Sequence, residues 1–434
     1  MMKHFLLVFF SLILFNNASN AQELYFPPIS GSVWETSAPA DLGWCEDSIP
    51  QLLDFLEASN SKAFIVLKDG KIVIEHYFGT FTQDSLWYWA SAGKSLTATL
   101  VGLAQEQGFL DINDPSSDYL GEGWTSLTPD QESQITIRHQ LTMTTGLDDS
   151  VENVDCTDPE CLVYLEDPGE RWAYHNAPYT MLDGVIENAT GQELNTFLYQ
   201  NLGAQTGIIG LYLPVDYNNV FFSKPRAFAR FGLLSLNQGN WNGTQIMEDT
   251  DYFYDMTHSS QGINECYGYL WWLNGYDSFM LPGSQFVFGG PLMPDAPQDI
   301  YAAMGKNGQI CNVSPEENLV VIRMGDAPTN EIFFVPNVYN NDIWVHLNKV
   351  MNCSTISTPE IELSSSPLLY PNPANDVVLF DQTIQVVTVF NALGEKIWQE
   401  KTTRQLSVNA WKPGIYMVQL EQNNQVYFEK LIVE

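Results

Sequence analysis

The chain has 434 residues, with 52 Asp and Glu against 18 Lys and Arg, and a formal net charge of −34. At roughly 150 residues per domain this length makes two or three domains, and 45% hydrophobic with 13% aromatic residues supplies cores for them, which excludes a disordered chain. So large an acidic excess has no attraction for phosphate backbones or anionic membranes, which excludes nucleic-acid binding as well.

In chain order, the first element is an address. Lys3 and His4 precede an apolar run from Phe5 to Phe15. That run is too short for a hydrocarbon core of ~30 Å but suits the centre of a signal peptide. Ser19 and Ala21 place cleavage before Gln22, so residues 1–21 are expected to be removed and the mature protein to carry no integral membrane segment. Residues 62–79, KAFIVLKDGKIVIEHYFG, hold two β-branched runs around Asp69-Gly70, a hairpin signal. SAGKSLTATLVGLAQEQ, from Ser91 to Gln107, is apolar on nearly all sides and stops before Gly108, which predicts a buried helix. Helical patterns follow at ITIRHQLTMTTG (135–146), YTMLDGVIENATG (179–191) and RAFARFGLLSLNQG (226–239). Strands are expected at YGYLWWL (267–273) and ENLVVIRMG (317–325).

A hairpin first, helices in the middle and strands last predicts one α+β domain over residues 22–353 whose terminal strands share a sheet. Residues 354–367 are rich in Ser, Thr and Pro and form a linker. Beyond them, the runs VVLF, IQVVTVFNALGEKIWQE, QLSVNAWKPGIYMVQLEQ and QVYFEKLIVE alternate and are separated by turn residues, so residues 368–434 form a small antiparallel β-sandwich.

Three segments carry chemistry. Ser91 and Lys94 stand three apart at the start of the buried helix, on one face and one turn apart. A serine hydroxyl needs a base to become a nucleophile, and a lysine supplies one if burial disfavours its ammonium form. Gly93-Lys94-Ser95 imitates the end of a phosphate-binding loop, but the first glycine of that loop would be position 88, which is Tyr88. The second segment is Tyr174-His175-Asn176: a phenol relays a proton to a leaving group and an amide orients substrate and Lys94. Strand alternation turns His175 away from these neighbours, and His139 is a helix residue. The third is Lys306-Asn307-Gly308-Gln309 at the head of a strand, where a lysine adds positive potential and a glycine leaves room for substrate along the strand edge. No G-x-S-x-G elbow supports a Ser-His-Asp triad. Trp87 and Trp89 read as core packing.

The order S-x-x-K, Y-x-N, K-x-G resembles the penicillin-recognising serine hydrolases, which include class C β-lactamases, D-alanyl-D-alanine peptidases and related esterases. The flanks GFLDINDPSSDYL, Pro168-Gly169 and ARFGLLSLNQGNWNG agree, so the resemblance spans roughly residues 40 to 350. It implies a β-lactamase/transpeptidase-like fold, an antiparallel sheet with a mostly helical subdomain, and hydrolysis of ester or amide bonds in a small-molecule or peptide substrate through an acyl-enzyme. Ser91 would be the nucleophile, Lys94 and Tyr174 the base and proton shuttle, and Asn176, Lys306 and Gly308 positioning residues. The backbone N–H groups of Ser91 and Gln309 would form the oxyanion hole. No cofactor and no metal are implied. Lys306 and Asn307 depart from the residues many relatives carry there, as does Ala227, where an aspartate is typical. The alternative, from another class, is a binding or sensor protein of the penicillin-binding type that acylates once without turnover.

Between the first and second motifs, Asp148, Asp149, Glu152, Asp155, Asp158, Glu160 and Glu166 crowd a segment that the resemblance puts near the cleft mouth. They are expected to favour neutral or cationic esters and amides; calcium binding and a merely solvated acidic face are the other uses of such a cluster. Six cysteines in an exported chain permit three disulfides among 15 pairings. Cys156–Cys161 would close a local loop, Cys45–Cys353 would tie the start of the large domain to its end, and Cys266–Cys311 would link two strands. Finally, Tyr370-Pro371-Asn372-Pro373-Ala374, Asn391-Ala392-Leu393-Gly394, Pro413-Gly414-Ile415-Tyr416 and the terminal KLIVE are similar to the sorting domain of type IX secretion substrates. That implies passage through the periplasm, the type IX machinery as partner, and a secreted or cell-surface attached product.

Overall fold

The computed structural model describes residues 24–328, 335–353, 369–391, 396–422 and 425–434, so the expected signal peptide and linker lie outside the described residues. Among the described residues no helix is long and apolar enough to cross a membrane.

Helix α1 (Ile49–Ala58) leads into strands β1 (Ser61–Lys68) and β2 (Lys71–Tyr77). Asp69 and Gly70 both take positive φ, 51° and 79°, the left-handed pair that a two-residue hairpin requires. A two-residue strand β3 (Trp87–Tyr88) precedes helix α2 (Gly93–Glu106), in which every residue from Gly93 to Ala104 is buried. The short α3 (Ile137–Leu141) and the longer α4 (Asn176–Thr190) follow, then the hairpin β4 (Gly210–Val215) and β5 (Asn218–Ser223), and helix α5 (Pro225–Leu236). The chain closes the domain with β6 (Trp272–Leu273), β7 (Tyr301–Gly305), β8 (Gln309–Ser314), β9 (Leu319–Gly325) and α6 (Asn337–Met351).

First and last strands share one antiparallel sheet in the order β2-β1-β9-β8-β7-β6. Strands β1, β8 and β9 read as near-continuous buried runs. Their faces are covered by helices on both sides, so they do not alternate with solvent. Gly232 of α5 makes one of these contacts possible: a Cβ there would lie 2.4 Å from Val320 and 2.8 Å from the Cys311 sulfur. A smaller sheet β3-β5-β4 ties the β4–β5 hairpin to the segment before α2.

Three expectations change. Of the strand expected at 267–273, only Trp272–Leu273 is strand, because the chain turns sharply at Leu270, whose φ is 59°. That turn is anchored by Leu270 N–H to the Leu141 carbonyl and by Ser95 Oγ to the Leu270 carbonyl. Disulfides join Cys45–Cys353 and Cys156–Cys161, but Cys266 and Cys311 are free and buried. Cys311 lies on β8 under α5, while the Cys266 thiol donates to the Ser278 carbonyl beyond β6, with β7 between them. In the tail, VVLF and IQVVTVF are one strand, continued across an irregularity between Leu379 and Ile384.

That tail forms a curled five-stranded sheet, a small β-sandwich of β10 (Leu369–Tyr370), β11 (Val377–Phe390), β12 (Lys396–Ser407), β13 (Gly414–Gln422) and β14 (Gln425–Val433). Its core, Val378, Ile384, Val387, Val389, Val418 and Leu420 among others, is separate from that of the large domain.

Candidate active site

Ser91 sits where β3 turns into α2, in a short 3-10 turn of Ala90–Ala92. Ala90 just before it has φ 47°, a conformation an alanine adopts only at a cost of order 1 kcal/mol. Trp89 holds the turn in place: its Nε1 donates to Ser223 Oγ at 2.7 Å, and its ring packs 4.1 Å from Phe228 and 4.7 Å from Phe221. Ser91 itself is half-buried.

One turn on, Lys94 is 4% exposed. Its ammonium lies 3.8 Å from the Tyr179 ring centroid and 5.4 Å from that of Tyr174. Burial pulls its pKa down to about 7, against the charges of Asp155 and Asp183, which favour the ammonium. Asp183 shares a face of α4 with Asn176 and Tyr179. Burial raises its pKa to about 7, opposed by the nearby Asn219 amide and the charge of Lys94. Lysine and carboxyl therefore titrate as a pair.

Tyr174 is boxed by rings: Trp272 stacks on it at 5.6 Å, with Tyr267 at 6.2 Å and Trp172 at 6.4 Å. Burial pushes its phenol well above the ordinary range, and a hydrogen bond with the Ser91 hydroxyl works in the other direction. The phenol is protonated at neutral pH. Asn176 begins α4; its Nδ2 donates to Asp155 Oδ1 at 2.7 Å, while its Oδ1 is buried with no partner among the described residues. His175 is 1% exposed and, among the described residues, neither ring nitrogen has a partner. Burial lowers its pKa to about 4, and the charges acting on it are Asp149, Asp148, Arg171 and Asp155 rather than Lys94.

Thus Ser91, Lys94, Tyr174 and Asn176 come together from two distant segments. The third segment arrives differently. Lys306–Gly308 is the turn between β7 and β8, with Asn307 and Gly308 at φ 64° and 73°. Lys306 is exposed, and Asn307 Nδ2 donates to the Tyr88 hydroxyl at 2.7 Å. A Cβ on Gly308 would meet Arg323 at 2.7 Å and Tyr339 at 3.2 Å, not substrate. The buried Gln309 spends its amide on Gly325, donating to that carbonyl at 2.7 Å and accepting from that N–H at 3.1 Å. The glycine that lies against the nucleophile is Gly305, which sequence reading passed over. A Cβ there would be 2.5 Å from the Trp89 carbonyl, 2.7 Å from the Ala92 nitrogen and 2.8 Å from the Ser91 nitrogen. The signal was present as two glycines three apart around Lys306; only packing says which one faces Ser91.

The acids of the loop have separate partners: Asp148 with Ser150, Asp149 with Arg171 at 2.6 Å, Asp155 with Asn176, and Asp158 with Tyr217. Among the described residues no group of three or more His, Cys, Asp or Glu is arranged to hold a metal ion. Asp155 and Asp183 are the two acids whose charges reach Lys94.

Two family models match. The one described as Beta-lactamase covers residues 55–332, and the one described as Secretion system C-terminal sorting domain covers residues 368–434. An uncharacterized protein of Alkalihalophilus pseudofirmus is 26% identical over 315 residues, 64% of this chain and 86% of that one. The 6-aminohexanoate-dimer hydrolase of Paenarthrobacter ureafaciens is 24% identical over 236 residues, 46% of this chain and 58% of that one. Among solved structures, a penicillin-binding protein homolog from Caulobacter crescentus superposes with a TM-score of 0.52 at 13% identity, covering 71% of this chain and 98% of the other. At that identity the likeness speaks for the fold.

Proposed function

The chain belongs to the beta-lactamase family of serine hydrolases, and from that premise we propose that it cleaves ester or amide bonds through an acyl-enzyme on Ser91. The sorting domain marks it for secretion or attachment at the cell surface. The observation that carries the proposal is the lysine: an amine 4% exposed, one turn from Ser91 and 5.4 Å from the centroid of the Tyr174 ring.

In this reading the uncharged Lys94 amine takes the Ser91 proton as Oγ attacks the carbonyl carbon. Tyr174, protonated at neutral pH, passes a proton to the leaving group and is refilled through Lys94. A water then repeats the attack on the ester to release the acid. We place the second donor of the oxyanion hole at the Lys306 backbone N–H rather than at Gln309, because the strand-edge glycine against the Ser91 nitrogen is Gly305, immediately before Lys306. Such a donor contributes ~3 kcal/mol to the transition state.

Asp155 beside Asn176 and Lys94 gives the pocket an anionic wall, which favours neutral or cationic acyl donors over carboxylate-bearing β-lactams. A panel of p-nitrophenyl esters, amino-terminal amides and nitrocefin, run beside Ser91→Ala, tests the proposal. Steady turnover of esters and a mass increment of one acyl group on Ser91 are expected. A burst followed by silence identifies a single-turnover sensor, and activity that survives Ser91→Ala overturns the assignment.

A further inference from the structure

Behind the nucleophile, on the outer face of the sheet β3-β5-β4, lies a cavity of about 640 Å³. Alternation along the two strands sets its character. Tyr212 and Phe221 point inward and are buried, Phe221 against the Trp89 ring, whereas Leu211, Leu213 and Phe222 line the cavity. Leu86 and Ile209 extend the apolar wall. Leu86, Ile209, Leu211 and Leu213 are 63%, 53%, 54% and 43% exposed, a cluster of apolar surface that soluble proteins keep for a ligand.

The charges around this cavity are opposite in sign to the rest of the molecule. Lys224, Arg226 and Arg230 line it against the single acid Asp84. Lys224 pairs with Asp84, and Arg226 with Glu75. Arg230 has no carboxylate partner among the described residues. It is 6% exposed; its guanidinium donates to the carbonyls of Thr206 at 2.8 Å, Pro28 at 2.6 Å and Pro27 at 3.5 Å, and lies 5.2 and 5.5 Å from the rings of Trp34 and Trp241. These hydrogen bonds satisfy its donors but leave its charge uncompensated, with the Arg226 charge adding to it. In a chain of net charge −34, repulsion would keep an anion from most of the surface, so a site that attracts one stands out.

We propose that this cavity binds a long-chain carboxylate, with the anion on Arg230 and the alkyl chain along Leu211 and Leu213 on the outer face of β4. Burial brings Arg230 down only to about 10, so it stays charged at neutral pH. None of Ser91, Lys94 or Tyr174 lines the cavity, so the site stands apart from the hydrolytic centre.

Titration calorimetry of the mature chain with dodecanoate, dodecanol and dodecyltrimethylammonium, each below its micelle concentration, tests this. Dodecanoate is expected to bind one site at least about tenfold more tightly than the alcohol, and the cation not at all. Leu211→Asp, an exposed position, puts a carboxylate where the chain lies. It should weaken dodecanoate at least about tenfold and leave ester hydrolysis unchanged, while Ser91→Ala should keep full affinity. No binding to the wild type, equal affinity for alcohol and carboxylate, undiminished binding in Leu211→Asp, or loss of binding in Ser91→Ala each overturns the proposal.

Discussion

Replacing Lys94 by methionine should stabilise the protein while abolishing its activity. Methionine keeps the length and apolar stem of the side chain and removes the ammonium. A fall from the ordinary 10.5 to about 7 for a lysine 4% exposed corresponds to roughly 5 kcal/mol of disfavoured charge at 1.36 kcal/mol per pH unit. The folded form holds this proton less tightly than the unfolded chain. Between about pH 7 and 10.5 the unfolded chain therefore binds more protons, and the contribution of Lys94 to stability rises with pH across that window. Below pH 7 the full penalty is present; above 10.5 it is gone. In Lys94→Met, Asp183 loses the cation that lowers its pKa and is mostly protonated at pH 6.5, so no unpaired charge remains. Allowing about 1 kcal/mol for imperfect packing, the variant should be about 3–4 kcal/mol more stable than wild type at pH 6.5 and within about 1 kcal/mol of it at pH 10. Urea unfolding followed by tryptophan fluorescence at the two pH values measures both. The wild-type kcat/KM should fall on the acid side with an apparent pKa near 7 that belongs to the Lys94–Asp183 pair. A variant no more stable than wild type at pH 6.5, or a rate flat from pH 5.5 to 8.5, would refute the reasoning.

Asp155→Asn removes a charge that favours the ammonium, so the acid limb of the pH–rate profile should move to lower pH and cationic acyl donors should lose their advantage over neutral ones in KM. Tyr174→Phe keeps the ring box and deletes the proton relay, so single-turnover acylation should slow by about 10²–10⁴-fold with the unfolding midpoint moved little. Alanine at the two turn glycines separates their duties. Gly305→Ala should abolish acylation because its Cβ collides with the Ser91 turn, whereas Gly308→Ala, at φ 73° against Arg323, should lower stability by about 1–3 kcal/mol and spare activity per folded molecule. Active-site titration of purified variants decides that pair. Cys45→Ser opens a loop spanning 308 residues and should cost about 2–4 kcal/mol, read by urea unfolding of the variant beside the unreduced wild type.

Local chemistry is legible in the sequence. Asp69-Gly70 announces its hairpin because few residue pairs tolerate two positive φ angles in succession, and both residues adopt them. The segment after Ser91 announces a buried helix because apolar residues on nearly all sides have no solvent face to present, and α2 is buried from Gly93 to Ala104. The spacing of Ser91 and Lys94 depends only on helical pitch. Export and the sorting tail are likewise written in short runs of residues, and the tail matches its family model over residues 368–434.

What depends on distant segments meeting was decided by the tertiary structure. Lys306-Asn307-Gly308 offers a lysine and a glycine at the right spacing, yet β7 lies on the nucleophile through Gly305, and Gly308 gives its space to Arg323. Cys266 and Cys311 stay thiols because strand order puts β7 between their surroundings, a fact no cysteine count contains. Asp183 is one acid among 52 until α4 buries it near Lys94. Residue order alone determines which groups exist and how neighbours along the chain are spaced. Proton affinity and reach depend on desolvation and on charges within a few ångströms, and only the packing of remote segments sets those.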